Sequence, residues 1–221
     1  MRFLCLHGMG SNSRIFRQQT AALRYELGGG HSYDFVEGTV PWEADPAFQD
    51  DMFGKEDTFS YCDPSLPSFT DQVVSDLEHY LQVEGPYDGI MGFSLGANIA
   101  ISWMLQKARE NQTELPFKVG VFFSNTNIPY TPYPSSSRTI VDLDLGAISE
   151  ALDLPTAHIW GSADPEEAQA RLASLTCKAA KRSWYVHDKG HEVSTAGEDV
   201  IAMGKVINRA IAMSIGGGGE D

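Results

Sequence analysis

The run Asp88-Gly-Ile-Met-Gly-Phe-Ser94-Leu-Gly-Ala-Asn-Ile-Ala-Ile101 constrains this chain more than any other. A short apolar stretch reads as a buried strand. A sharp Gly92-Phe93-Ser94-Leu95-Gly96 turn follows. Ala97, Ile99, Ala100, Ile101, Trp103, Met104 and Leu105 then continue without glycine or proline, as a buried helix would. Strand, G-x-S-x-G, helix is the context that lifts a serine clear of a sheet edge as an exposed nucleophile. Glycines two residues to either side leave room where strand and helix cross. The helix N-terminus turns free N–H groups toward whatever the serine attacks. By itself the pattern is weak, since a glycine-flanked serine also suits an ordinary strand–helix turn. Its weight depends on what else the chain supplies.

Apolar runs alternate with helical patterns along the whole length. Strands are expected at Phe3–Leu6, Tyr33–Val36, Tyr87–Met91, Val119–Phe123, Thr156–Trp160 and Ser183–Val186. Between them, helical spacing predicts one helix after Ser11-Asn12-Ser13 carrying Ile15, Phe16, Ala22, Leu23 and Leu27. A second, after Ser68, carries Phe69, Val73, Leu77, Tyr80 and Leu81. A weak helix is expected over Val141–Leu152 and another over Glu166–Leu175. The last, Asp199–Ile215, turns Val200, Ile201, Met203, Val206, Ile207 and Ile211 inward. This alternation implies an α/β fold, about six parallel strands flanked by helices on both faces. Residues 1–215 are expected to form one domain, with 216–221 a frayed tail and 37–67 a lid-like insertion lacking clear periodicity.

A serine hydroxyl needs a general base, and the base needs an orienting acid. In this strand–helix architecture they follow the serine in the order acid, then histidine. His191, after Gly190 in the loop past the last strand, fits the base; His187 is its rival. Asp164, just past the fifth strand, fits the acid. Ahead of Pro165 it could equally cap a helix. Asp188 lies too near His191 in sequence to reach behind its ring. Two fixed N–H donors are needed for a developing oxyanion. Leu95 supplies one. The loop Leu6-His7-Gly8-Met9-Gly10 supplies the other, assigned to Met9 with Gly10 as the alternative.

Taken together, Leu6-His7-Gly8-Met9-Gly10-Ser11-Asn12, Phe35-Val36-Glu37-Gly38, Gly92-Phe93-Ser94-Leu95-Gly96, Trp160-Gly161-Ser162-Ala163-Asp164 and Gly190-His191 resemble the fungal serine hydrolase family. That family is related to the ovarian-cancer-associated-gene-2 hydrolases, and the resemblance covers nearly the whole chain. It implies a compact α/β-hydrolase without the usual leading hairpin and a strand order of 2-1-3-4-5-6. It also implies an esterase or thioesterase activity akin to enzymes of fungal polyketide gene clusters, some of which release a finished chain from its synthase.

The expected substrate is therefore a small-molecule acyl ester or thioester, with a polyketide synthase carrier domain as a candidate partner. Acyl transfer or cyclisation with the same residues, and a non-catalytic receptor on the same fold, are the alternatives. Trp42, Phe48, Phe53 and Phe59 in the 37–67 insertion are the candidate acyl contacts. The same insertion is rich in carboxylates, which does not favour phosphate-rich leaving groups. A net charge of −14 argues against nucleic acid and anionic membranes as partners. Three scattered cysteines suggest neither disulfides nor a metal site, so a reducing, cytoplasmic setting without cofactor or metal is expected.

Overall fold

The computed structural model describes residues 1–44, 57–63, 69–110, 115–126 and 148–216. Six parallel strands form the main sheet: β1 (Arg2–Leu6), β2 (Ser32–Val36), β5 (Gly89–Phe93), β6 (Val119–Phe123), β7 (Thr156–Gly161) and β8 (Arg182–His187). Their spatial order is β2-β1-β5-β6-β7-β8, the order the family resemblance implies. The central strands β5, β6 and β7 are buried at every position. Strands covered on both faces have no polar side to present, which is why β5 and β6 read as unbroken apolar runs and β7 is interrupted only by Thr156 and His158.

Helices cover both faces. On one lie α3 (Phe69–Glu84) and α4 (Leu95–Arg109), packed through Val73, Val74, Leu77, Ile99 and Trp103. On the other lie α1 (Ser13–Gln19), α2 (Ala21–Glu26) and α6 (Gly197–Gly216), packed through Ile15, Phe16, Leu23, Met203 and Ile207. Helix α5 (Glu167–Ser174) follows β7. Chain direction across the sheet reverses between β1 and β5. The loops leaving their C-terminal ends, after Leu6 and after Phe93, therefore meet at the switch point where open α/β sheets place ligands.

Several elements differ from the sequence-based expectation. The first helix is two, broken at Thr20 (φ −90°, ψ 2°), whose Oγ1 donates to Phe16 O at 2.8 Å. A threonine bonding back to the i−4 carbonyl competes with the helical ladder and bends it. Ala22, expected on the inner face, is exposed as a result. Ile201 is also exposed, 47%, because the buried stripe of α6 runs through Val200, Met203, Gly204, Ile207 and Ile211. The 37–67 insertion contains a two-stranded antiparallel ladder, β3 (Val40–Pro41) with β4 (Phe59–Ser60), where no regular structure was expected. Residues 45–56 and 64–68 lie outside the described residues, as do Ser68 and most of the weak helix expected over 141–152.

Candidate active site

Strand β5 ends at Phe93 and α4 begins at Leu95, so Ser94 alone makes the turn. Its N–H donates to Phe123 O on β6 at 2.9 Å, extending the strand ladder. Its carbonyl accepts the Asn98 N–H at 3.0 Å, opening the helix. Claimed from both sides, Ser94 is held at φ 51°, ψ −116°, a conformation that costs roughly 1–3 kcal/mol in a residue with a side chain. The flanking glycines are steric necessities. A Cβ at Gly92 would stand 2.6 Å from Ala97 N, and one at Gly96 would run into the carbonyls of Leu6 and His7.

Across the sheet, the loop after β8 brings the His191 ring to Ser94. Nε2 lies 2.9 Å from Ser94 Oγ, and Nδ1 lies 2.8 Å from Asp164 Oδ2. A carboxylate can only accept, so Nδ1 carries the proton and the Nε2 lone pair faces the hydroxyl. The Asp164 side chain is fully buried, while that of His191 is 25% exposed. The ring rests against Phe93, with centroids 5.2 Å apart. Asp164 also does what a residue ahead of a helix would do: its Oδ1 accepts the Glu166 N–H at 2.8 Å. One oxygen thus meets the His191 ring and the other the start of the helix. His187 turns into the interior, only 2% exposed. Asp188 is in solvent, paired with Lys189.

The approach of Asp164 and His191 depends on Gly161. A Cβ there would collide with the carbonyls of Lys189 and Gly190, beside His191. Gly161→Ala is therefore expected to push the two loops apart and lower kcat by about 100-fold, the typical cost of a displacement near 1 Å. Steady-state kinetics on aryl esters would show it, and wild-type kcat would mean that the loops absorb the methyl.

The loop after β1 packs directly on the serine. A Cβ at Gly8 would touch the Phe93 ring at 2.9 Å and lie 3.4 Å from Ser94 Cβ. The Gly10 N–H is already taken by Phe59 O at 3.0 Å. The Met9 amide has no acceptor among the described residues, and Leu95 lies in the first turn of α4, where N–H groups have no intrahelical acceptor. Of the two loop amides considered from the sequence, Met9 is the one left available.

His7 fixes this loop. Its Nδ1–H donates to Gly8 O at 2.7 Å and its Nε2 accepts the Gly38 N–H at 2.9 Å. Both ring nitrogens are thereby assigned in the neutral form, and burial lowers the pKa of the ring accordingly. The His7 N–H donates to the Tyr61 hydroxyl at 2.8 Å, which in turn donates to Val36 O at 3.0 Å. Glu37 accepts the Ser13 N–H and hydroxyl, each at 2.9 Å, and lies 3.3 Å from His7 Nε2. Gly38 admits no side chain, since a Cβ would stand 2.6 Å from Ser60 O. The Glu-Gly pair after β2 is thus a brace between the loop, α1 and β4. Sequence reasoning counts Tyr61 only among the aromatic residues of the insertion and misses its bridging hydroxyl, for which no spacing gives a signal.

Also missed was Asp199, buried at the start of α6. It accepts from Tyr185 on β8 at 2.6 Å and from Ser194 at 2.5 Å, bracketing the His191 loop. Removing the His7 ring should loosen the Met9 amide without touching the chemistry. His7→Ala is expected to lower kcat by about 10–100-fold, less than the 10²–10³ typical of losing a donor outright. A parallel melting curve separates this from unfolding, and unchanged kcat would show that the loop holds without the ring.

Of the candidate acyl contacts, Trp42 and Phe59 are half-buried beside this loop. Trp42 N–H donates to Thr58 O at 2.9 Å, and the Phe59 peptide is bonded to Gly10 and Ser11. Phe48 and Phe53 lie outside the described residues. Among the described residues no cluster of three metal-ligating side chains occurs, and no helix is long and apolar enough to cross a membrane.

A six-stranded parallel sheet with a strained serine between strand and helix, met by a histidine and a buried aspartate, defines a serine hydrolase of the α/β-hydrolase class. The serine hydrolase (FSH1) family profile matches residues 1–202, and the chain belongs to that family. It is 32% identical over 219 residues to esterase FPY3 of Fusarium mangiferae, covering 96% of this chain and 99% of that one. It is also 32% identical to esterase FUS5 of Gibberella moniliformis, covering 91% of this chain and 86% of that one. Among solved structures, a carboxylesterase from Mesorhizobium loti superposes with a TM-score of 0.59 at 14% identity, covering 92% of this chain and 86% of that one. Arabidopsis thaliana SOBER1 superposes with a TM-score of 0.56 at 16% identity, covering 96% and 99%. These two share the fold. The family and the esterase relatives make this chain an esterase acting on small-molecule esters.

Proposed function

We propose that Ser94 is the nucleophile, His191 the general base and Asp164 the acid that orients it, in hydrolysis of an ester or thioester of a hydrophobic acyl chain. The observation that carries this is the unbroken relay from Ser94 Oγ to His191 Nε2 at 2.9 Å and from Nδ1 to Asp164 Oδ2 at 2.8 Å. Ser94 Oγ attacks the acyl carbon as its proton passes to His191 Nε2. The imidazolium is balanced by the Asp164 carboxylate, and the carbonyl oxygen, now an anion, receives the Met9 and Leu95 N–H groups. Collapse of this intermediate expels the alcohol or thiol, which takes the proton from Nε2. Water, deprotonated by the same nitrogen, then releases the acid from the acyl-enzyme and restores the serine.

Trp42 and Phe59, carried on the hairpin bonded to the oxyanion loop, contact the acyl group outside the sheet. A polyketide acyl chain in fungal secondary metabolism is the setting that the family resemblance supports, delivered free or on a carrier domain.

A fluorophosphonate probe tests the reading. It should label the wild-type protein and spare Ser94→Ala. Equal labelling of both would remove Ser94 as nucleophile, and no labelling of either would favour a receptor. Because the relay needs no metal, activity should be unchanged by a chelator; reversible loss would contradict the mechanism.

A further inference from the structure

The main sheet is open, and its two edges are built differently. At the β2 edge, charge covers the strand. Asp34, in the middle of β2, pairs with Arg2 at 2.6 Å, and the Arg17 and Arg24 guanidiniums lie over the Phe35 and Tyr33 rings at 4.5 and 5.5 Å. Charges placed on an edge strand discourage pairing with another chain. The opposite edge is β8, and its middle, Ser183-Trp-Tyr-Val186, carries neither charge nor proline. Trp184 is 59% exposed and Val186 37%. Both lie on the face opposite Tyr185, which bonds to Asp199 on α6.

The backbone of this edge is available as well. Thr156 N–H donates to Lys181 O and Ser162 N–H to His187 O, so the odd-numbered residues turn their peptide groups toward β7. Peptide groups alternate along a strand, and those of Trp184 and Val186 therefore point outward. Because β8 ends the sheet, they have no neighbouring strand among the described residues.

The sequence of the edge is complementary to itself. Arg182 opens the strand, and Asp188 follows its end with 81% of its side chain exposed. Residues 182, 184, 186 and 188 share one face. In an antiparallel pair of two copies with Tyr185 opposite Tyr185, Trp184 faces Val186 and Arg182 faces Asp188, each twice by symmetry. Trp184 and Val186 then stand opposite as a hydrogen-bonded pair, exchanging both N–H···O bonds. An aromatic against a β-branched residue, and a cation against a carboxylate, are favourable cross-strand pairs. Arg182 gives Nη1 to the carbonyls of Ser174 and Cys177, and a guanidinium has further donors for the carboxylate. Lys181 and Lys189, which the same register brings level, are each paired within their own copy, with Asp153 and Asp188. Setting Trp184 opposite Trp184 instead would place Arg182 against Val186 and leave Asp188 without a cation.

We propose that β8 pairs with β8 of a second copy of this chain, antiparallel about a twofold axis at Tyr185, so that the two sheets become one. The inference does not depend on which residues perform the chemistry. One short pair of strands is a small interface, and the association is expected in the micromolar range.

Sedimentation of the full chain at rising concentration tests this, since a weak dimer populates by mass action. The wild type is expected to pass from monomer to dimer, and a monomer throughout overturns the proposal. Trp184→Lys and Val186→Pro should each weaken the dimer by about tenfold, as a charge or a lost donor does at an edge. The proline removes only an N–H that β7 does not use, so circular dichroism and aryl ester hydrolysis should match the wild type in both variants. A dimer unmoved by both changes forms through another surface, which also overturns the proposal. The register has its own test. Arg182→Asp sets a carboxylate against Asp188, and Asp188→Arg sets a guanidinium against Arg182, so each variant alone should dimerise about tenfold more weakly than the wild type. Mixing the two in equal amounts restores both opposite-charge pairs, and heterodimers should form at close to the wild-type concentration. A mixture no stronger than its components overturns the antiparallel register and the proposal with it.

Discussion

Ser94→Ala is expected to lower kcat by about 10⁴–10⁶-fold with little change in the folded structure. The expectation follows from the geometry on both sides of the hydroxyl. The substitution removes one oxygen, whose partner is His191 Nε2 at 2.9 Å, and leaves the backbone bonds to Phe123 and Asn98 intact. His191→Ala should cost a similar factor, because the hydroxyl without its proton acceptor is no nucleophile at neutral pH. Combining the two should add little, since either loss already disables the pair as a unit. Asp164→Asn should cost about 10⁴-fold, by presenting the wrong imidazole tautomer to Ser94. Steady-state kinetics on one aryl ester and circular dichroism of each variant decide the matter. A double variant far slower than either single one would mean that serine and histidine act independently, which the relay does not allow.

What the sequence reveals of this fold depends on how many residues share a signal. Strands β5 and β6 are legible because burial on both faces leaves every position apolar, and β7 because Thr156 and His158 are the only polar residues in a buried run. The hairpin β3–β4 is not legible, because two-residue strands carry no alternation. The break at Thr20 is hidden because one side-chain hydrogen bond makes it, inside a pattern that otherwise reads as a continuous helix. The candidate site divides in the same way. Ser94, Asp164 and His191 each follow a recognisable strand in a fixed chain order, and the fold brings their side chains within hydrogen-bond distance. Their supports are not visible in that way. Tyr61 holds the loop after β1 through a contact spanning 54 residues, and Asp199 braces the His191 loop from the start of the next helix. Such contacts arise from how the layers stack, and no local spacing encodes them. A cavity of about 310 Å³ behind Tyr61 is a further case. Its walls come from β1, β2, α3 and α4, and each wall residue alone reads as ordinary core.

Acid should unfold this protein through a histidine remote from any chemistry. His158, inside β7, is 1% exposed, and its ring packs on Phe122 at 5.3 Å between centroids. Nε2 has Thr156 Oγ1 at 3.2 Å, and Nδ1 has no partner among the described residues. Protonation would place a cation in an apolar interior, and the Arg182 guanidinium nearby adds repulsion. Burial first, and Arg182 second, lower the pKa to about 3. The folded value lies below that of the unfolded chain, near 6.5, so the unfolded state binds the proton more readily. The contribution of His158 is therefore complete above about pH 6.5 and is lost as pH falls toward 3, amounting to about 3–5 kcal/mol across that window. His7 and His187, whose pKa values burial also lowers, act in the same direction. Urea unfolding between pH 7.5 and 4 should show stability falling with pH in the wild type. His158→Leu removes the titrating group while keeping an apolar side chain, so the difference between the two proteins isolates one residue. The variant should lose less stability than the wild type over this range, and the gap should widen as pH drops. Parallel curves for the two proteins would mean that His158 takes up its proton equally well in the folded and unfolded chains, contrary to its burial against Phe122 and Arg182.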